Sequence, residues 1–356
     1  MNNGISIYPG LDNLLEENIV LIETAAKCGI KRLFTSFNIP ETNRENFKRD
    51  LQIILNIAKN NDMEVISDIS PKTCDLLGID PKDLKGLRKL GITTIRLDDG
   101  YSEEETANLS KNGENIKIQL NASAVDEEFL KNLEKHRADF GNIDALHNFY
   151  PRKNTGLSEE FFTAKNNLLK KYNIKISAFI SSAGKKRGPM FEGLPTLEFH
   201  RDTDTFLSMR HLAALGVDGV FISESLPLKE ELEHLSTLKE NKVILKTKLL
   251  TDNEELKKLL KNAFTARADE ARDVIRAKEG RLLIKSEIPP ENNIERKKGC
   301  ITLDNALYKR YNGELQIIKR DLPSDERVNV VAKVSENELF MLKYILPKTS
   351  FSFAFE

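Results

Sequence analysis

The sequence has no tryptophan, five histidines and three cysteines in 356 residues. Cys28, Cys74 and Cys300 are odd in number, far apart and without a C-x-x-C pair, which argues against a disulfide framework or a zinc ribbon and suits a reducing compartment. No apolar run is long enough to cross a bilayer. An apolar strand pattern starts near Gly4, leaving no room for a signal peptide. An excess of either charge is also missing. With 54 basic and 55 acidic residues the net charge is −1, which gives no bulk attraction to nucleic acid or to an anionic membrane. Neither G-x-G-x-x-G nor a Walker loop occurs, and no H-x-H occurs. No cofactor and no metal are expected.

What is present is a repeated local pattern: a helix-like segment, a Gly or Asn stop, then a short β-rich run. It recurs at Gly29 before RLFTSF, Asn60-Asn61 before EVISDI, Gly91 before TTIRLD and Gly113 before IKIQLNA. It continues at Asn142 before IDALHNF, Asn173 before IKISAFI and Gly216 before GVFIS. A residue that accepts the left-handed conformation ends each helix, so this is the grammar of αβ loops. With GISIY at the start there are eight β runs, alternating with amphipathic segments and closing near residue 240. That count predicts a (β/α)8 TIM barrel over residues 1–240. Residues 241–356 change character. Lys242 to Leu249 and Arg281 to Lys285 read as strands, Asn253 to Phe264 as a helix, and Tyr311-Asn312-Gly313 as a hairpin turn. A smaller, β-rich second domain is expected there.

Active sites of TIM barrels form on the loops at the carboxyl ends of the strands, and those ends are polar here. They supply Tyr8, Ser36, Asp68, Asp98 with Asp99, Asn121 with Ser123, His147 with Asn148, and Ser223-Glu224-Ser225. Any one of these is as readily a helix cap as a ligand. The longest irregular interval, Ser181 to Arg201, sets Lys185, Lys186 and Arg187 between Gly184 and Gly188 and then adds Glu192 and Glu198. Cations beside residues that permit close backbone approach suit a phosphate or a carboxylate.

The segments IRLDDG, LNAS, HNFYPRKNTGLS and RGPMFEGLPTLEFHR, with FTARADEARDVIRA and KGCITLDNALYKRYNGELQI further on, resemble the motifs of the 6-phospho-N-acetylmuramidase family, MupG. The resemblance spans nearly the whole chain. It implies a TIM barrel joined to a cyclophilin-like C-terminal domain. It also implies a cytoplasmic glycosidase that cleaves the β-1,4 bond of a phosphorylated amino-sugar disaccharide, N-acetylmuramic acid 6-phosphate linked to N-acetylglucosamine, in cell-wall recycling.

Glycoside hydrolysis usually uses two carboxyl groups, one neutral and one ionised. Glu192, beside apolar Met190, Phe191 and Leu194, is expected to be the acid, with Asp98 at a rigid strand end as its ionised partner and Asp68 in reserve for either role. A route through the substrate's own acetamido oxygen stays open. Glu198 is expected to pair with Arg201 or His200. Arg152 and Arg187 are the expected phosphate ligands, because a guanidinium fork matches phosphate oxygens at two points. Thr155, Gly156 and Ser158 offer further donors at a helix start. Asn121, His147 and Asn148 are candidates for sugar contacts, although strand alternation turns only one of the last two inward. The second domain holds no histidine, so prolyl isomerase activity is not expected of it. Docking, lid and dimerisation roles, including a homodimer, stay open. The rival readings are a metal-dependent sugar-phosphate isomerase or epimerase, with Asp68, Asp98 and His147 as ligands, and a non-catalytic carbohydrate-binding protein. A Schiff-base aldolase is disfavoured because no strand end carries a lysine.

Overall fold

A computed structural model describes residues 1–36, 44–68, 80, 83–97, 100–239, 242–284 and 286–355. Contacts divide the chain into two compact units, Met1–Leu212 with Val217–Leu238, and Ala213–Gly216 with Lys239–Glu356.

In the first unit eight parallel strands close in sequence order into a barrel. They are β1 (Gly4–Ile7), β2 (Arg32–Ser36), β3 (Glu64–Asp68), β4 (Thr94–Leu97), β5 (Lys117–Asn121), β6 (Ile143–Leu146), β7 (Lys175–Ile180) and β8 (Gly219–Ile222). The helices between them are α1 (Leu15–Lys27), α2 (Arg44–Asn60), α3 (Leu84–Leu90), α4 (Glu103–Ser110), α5 (Glu127–Lys135), α6 (Glu159–Lys170), α7 (Thr205–Ala214) and, after β8, α8 (Lys229–Thr237). The predicted barrel is thus observed. Four of its stops are observed as well, since Gly29, Gly91, Asn173 and Gly216 have positive φ; at the other three the left-handed residue is Asp62, Asn115 or Arg137, not Asn60-Asn61, Gly113 or Asn142. Helix starts are fastened by side chains, with Ser102 accepting from the Glu105 amide, Asp126 from Phe129 and Ser158 from Phe161.

Inside the barrel the side chains stack in layers. At the floor, the buried Arg32 donates to Asp144 at 2.5 Å, and Gln119 donates to the other Asp144 oxygen at 2.9 Å. Glu64 adds a second carboxylate 3.1 Å from Arg32. Above this lies an apolar layer of Tyr8, Phe34, Ile66, Leu146, Phe179 and Phe221, onto which Phe149 packs from the loop after β6. The barrel is therefore a plugged core, and only its upper rim is open to chemistry.

The second unit is a seven-stranded sheet in the order β10-β15-β9-β14-β12-β13-β11. Its strands are β9 (Lys242–Leu249), β10 (Phe264–Thr265), β11 (Val274–Arg276), β12 (Cys300–Asp304), β13 (Leu315–Ile318), β14 (Val328–Val334) and β15 (Ser350–Phe355). All pairs are antiparallel except β9 with β15. Two sequence expectations need correction. Arg281 to Lys285 is not a strand: Gly280–Leu283 forms one helical turn, α10, with Leu282 and Leu283 exposed. The apolar run that suggested a strand has no neighbour to pair with. The helix expected from Asn253 to Phe264 stops at Leu260 (α9, Glu254–Leu260), and Phe264 instead opens β10 against Phe351. Arg267 pairs with Asp269, and Arg272 with Asp273, on the connection between β10 and β11.

Removing one partner from the barrel floor leaves a buried charge without compensation. Asp144→Ala is expected to cost about 3 to 5 kcal/mol of stability. The double variant Arg32→Met, Asp144→Leu should lose less, and urea unfolding of both proteins measures the difference.

Candidate active site

The rim above β6, β7 and β8 is built from two long connections, 147–158 and 181–204. They are stitched together by one ion pair. Arg201, 4% exposed, donates through Nε and Nη2 to the two oxygens of Glu198, each at 2.7 Å. Its remaining donors go to the carbonyls of Gly193 at 2.9 Å, Glu192 at 3.3 Å, Tyr150 at 2.9 Å and Arg152 at 3.1 Å. Glu198 in turn accepts the amides of Asn154 at 2.8 Å and Gly156 at 2.7 Å. Its carboxyl is held down at about 2, first by the Arg201 hydrogen bonds and then, against the opposing effect of burial, by those two amides. This corrects one expectation. The Gly156 amide, proposed as part of a phosphate cradle, already holds the protein's own carboxylate, while Thr155 Oγ1 donates to the Arg152 carbonyl and Ser158 caps α6.

Arg187 occupies the middle of the mouth. Its guanidinium carbon stands 4.6 Å from the Tyr8 ring centre and 4.9 Å from that of Phe149, the two rings that top the barrel core. Nε donates to the Gly188 carbonyl at 3.2 Å. Arg187 is 7% exposed, and no carboxylate pairs with it among the described residues. The Tyr8 hydroxyl donates to the Ser223 carbonyl, and burial pushes its pKa up to about 12, so the shelf under Arg187 is uncharged at neutral pH. Glu224 sets the backbone of this connection: one oxygen accepts the Arg187 amide at 2.9 Å and the other the Leu194 amide at 2.8 Å. It is fully buried, and that burial raises its pKa. Lys185 is spoken for by the Asp12 carbonyl at 2.6 Å and by Glu17.

The opposite wall carries Asp68. In a closed barrel of eight strands β3 lies across from β7, so Asp68 faces the connection that bears Arg187 and Glu192. Asp68 is buried and accepts from Ser36 Oγ at 2.5 Å, and strand register sets it beside Arg96. Arg96 reaches over β5 to the Leu146 carbonyl and to Asn148 Oδ1. Asn148 therefore points into the mouth. Asn121 lies on the same face of β5 as the inward Gln119, and its Oδ1 accepts the Ser123 amide at 3.1 Å. Glu192 is half-buried; its Oε2 accepts the Lys153 amide at 2.9 Å, and Oε1 has no partner among the described residues. The apolar residues expected to enclose it do not do so, because Met190 is 47% and Phe191 59% exposed. Arg152 is exposed, with an unpaired guanidinium among the described residues. Asp98 and Asp99 lie outside the described residues.

His147 faces away from the mouth. It is fully buried against Phe162 of α6, with ring centres 4.5 Å apart. Ser123 Oγ accepts the Asn148 amide and so donates its proton to His147 Nδ1, which leaves Nε2–H to donate to Asn166 Oδ1 at 2.9 Å. These contacts tie β5, β6 and α6 together and leave the ring no face for a sugar. Among the described residues, no group of three or more His, Cys, Asp and Glu side chains is placed to hold a metal ion.

Sequence reasoning passed over Tyr8 and Phe149 as an arginine shelf and Glu224 as a loop anchor. Alternation along β1 and β8 points to Tyr8, but nothing local marks Phe149 as the residue that folds back onto the core.

A barrel mouth with carboxyl groups on facing walls, and between them an arginine with no carboxylate partner among the described residues, suits a glycosidase. Residues 3–237 match the model for the N-terminal part of 6-phospho-N-acetylmuramidase, and residues 243–354 match that for its C-terminal part. The chain belongs to the 6-phospho-N-acetylmuramidase family and is a glycosidase of cell-wall recycling. Two solved structures are similar over the full length. One, an uncharacterized B. cereus protein, is 33% identical with a TM-score of 0.86, and the match covers 99% of each chain. The other, a conserved Enterococcus faecalis protein of unknown function, is 32% identical with a TM-score of 0.72, covering 100% of this chain and 97% of that one. No curated protein matches the chain. No helix of the described residues is long and apolar enough to cross a membrane.

Burial lowers the His147 pKa to about 4, against a usual value near 6.5. A depressed pKa means that the unfolded chain binds the proton more readily, so this stabilisation is full above about pH 6.5 and shrinks as pH falls toward 4. Between pH 7 and pH 5 it should amount to about 2 kcal/mol. His147→Gln is expected to remove that part of the pH dependence, and urea unfolding at the two pH values measures it.

Proposed function

We propose that the enzyme cleaves the β-1,4 bond between N-acetylmuramic acid 6-phosphate and N-acetylglucosamine in the cytoplasm, with Arg187 as the principal phosphate ligand. The observation that carries this reading is Arg187 itself. A guanidinium buried on two aromatic faces with no carboxylate partner is costly unless an anion completes it. The connections after β7 and β8 are also where TIM barrels commonly hold phosphate. Arg152, on the neighbouring connection, supplies a second, mobile cation.

The chemistry follows from the sugar's shape. In a pyranose, C1 and C5 flank the ring oxygen, so the leaving oxygen on C1 and the phosphate on C6 lie toward the same side of the ring. Glu192 stands five residues after Arg187 in one connection, within reach of the leaving oxygen when Arg187 holds the phosphate. Glu192 gives its proton to that oxygen. Asp68, across the mouth and supported in its ionised form by Ser36, faces the positive charge that builds at the anomeric carbon. Asp98, which follows β4 in the sequence, stays the other candidate for the ionised role. Asn121 and Asn148 are placed to bind hydroxyl or acetamido groups. Water completes the hydrolysis, releasing N-acetylmuramic acid 6-phosphate and N-acetylglucosamine. Neither the family models nor the geometry favours an isomerase or a non-catalytic sugar binder.

One charge-assisted contact contributes about 1.5 to 3 kcal/mol, or about 10- to 200-fold. Arg187→Ala should lower kcat/KM for the phosphorylated disaccharide by that factor. The parent should handle the unphosphorylated disaccharide poorly, and Arg187→Ala should change that poor rate little. A parent that cleaves both equally well would remove phosphate recognition from this site. Glu192→Gln, by loss of general acid catalysis, should slow the natural disaccharide by about 10²- to 10⁴-fold. Aryl glycosides with good leaving groups need little protonation and should be slowed much less; steady-state kinetics on both substrates separates the cases.

A further inference from the structure

Phe191 is the least expected residue of the 181–204 connection. It is not glycine, yet its backbone has φ of +54°, a conformation that costs a bulky side chain about 1 to 3 kcal/mol. In exchange, the turn closed by the Phe191 amide on the Arg187 carbonyl at 3.2 Å sends the ring back over Gly188. A β-carbon at Gly188 would stand 3.0 Å from Phe191 Cζ and 3.0 Å from Asp12 Oδ1, so a side chain there would crowd the ring. The Gly188 amide donates to Asp12 Oδ2 at 2.7 Å, and its carbonyl accepts Arg187 Nε. The seat is thereby tied to the residue that faces the phosphate. Even so, Phe191 stays 59% exposed, and Met190 beside it 47% exposed. A strained backbone that holds an aromatic ring out to solvent does nothing for the core.

Two aromatic levels result. The lower one, Tyr8 and Phe149, is covered by Arg187 at the barrel axis. The upper one, Phe191 with Met190, is open and lies next to Glu192 in sequence, the residue that meets the leaving oxygen. The C–H face of a pyranose packs on an aromatic ring while its hydroxyls stay at the rim in water, and an exposed apolar patch within a ligand groove is where such packing occurs. Resting on the glycosidase reading above, we propose that Phe191, supported by Met190, is the platform on which the leaving N-acetylglucosamine ring stacks. The phosphosugar occupies the lower level, and the bond to be cut lies between the two, beside Glu192.

The test is Phe191→Gly, chosen because glycine accepts the positive φ and keeps the turn while removing the ring. For the phosphorylated disaccharide KM should rise about tenfold, equivalent to about 1.4 kcal/mol, with kcat changed little. Inhibition by free N-acetylglucosamine should weaken by the same factor, whereas inhibition by N-acetylmuramic acid 6-phosphate should not change. The melting temperature should hold or rise, and Phe191→Tyr, which keeps a ring, should restore the parent KM. Unchanged KM and unchanged N-acetylglucosamine inhibition in Phe191→Gly would overturn the platform. So would a loss confined to N-acetylmuramic acid 6-phosphate, which would put the ring under the other sugar. A parent enzyme that fails to cleave the disaccharide would overturn the glycosidase reading itself, and the two failures are distinct.

Discussion

The ion pair between Glu198 and Arg201 is the constraint on which the mouth of the barrel depends. Irregular connections leave many backbone groups without partners, and a long one holds its shape only if those groups are satisfied. Here a single carboxylate takes two amides of the 147–158 connection, and a single guanidinium takes four carbonyls spread over both connections. Each charge is therefore fully hydrogen-bonded, the condition under which a buried pair is tolerable. Arg152, Glu192 and Leu194 all project from backbone held in this way. The charges of the pair are spent on the backbone and on each other. The pair sets where the chemistry stands.

Glu224 plays a comparable part for Arg187. A buried guanidinium loses hydration, and the two aromatic faces offset only part of that loss. Glu224 accepts the amide of the same residue and does not seize the guanidinium. Had it reached the side chain, a closed salt bridge would have left no cation for a ligand. Binding the backbone instead supplies the shape of the turn. In the reading proposed above, phosphate recognition by Arg187 depends on this separation.

Much of the barrel was legible because its signals are local. A left-handed Gly or Asn after a helix, a capping Ser or Asp before one, and an apolar run between them each act over three or four residues, and Gly91, Ser102 and Asn173 do what their neighbourhoods imply. Strand alternation also told correctly that only one of His147 and Asn148 turns inward. What stayed hidden depends on partners far apart in the chain. Gly156 before Ser158 has the local look of an anion site; that the anion is Glu198, 42 residues on, follows only from the fold. Met190 and Phe191 look like an apolar cover for Glu192, and the positive φ at Phe191 turns them outward. In the second unit, Arg281 to Lys285 has strand-like composition but no strand to pair with, and composition alone does not reveal that.

The carboxyl groups of the 181–204 connection and its neighbour can finally be ranked by what their oxygens already do. Glu198 accepts two guanidinium nitrogens and two amides, so it is held ionised and cannot donate a proton. Glu224 is raised by burial, which favours the acid form, but each of its oxygens accepts an amide and no surface of it is exposed. A proton there would have nowhere to go. Glu192 has one oxygen held by the Lys153 amide and the other without a partner among the described residues. The held oxygen fixes the orientation, and the other is available to carry the proton. An acid that delivers a proton to a leaving oxygen needs that combination, which Glu192 has and Glu198 and Glu224 lack.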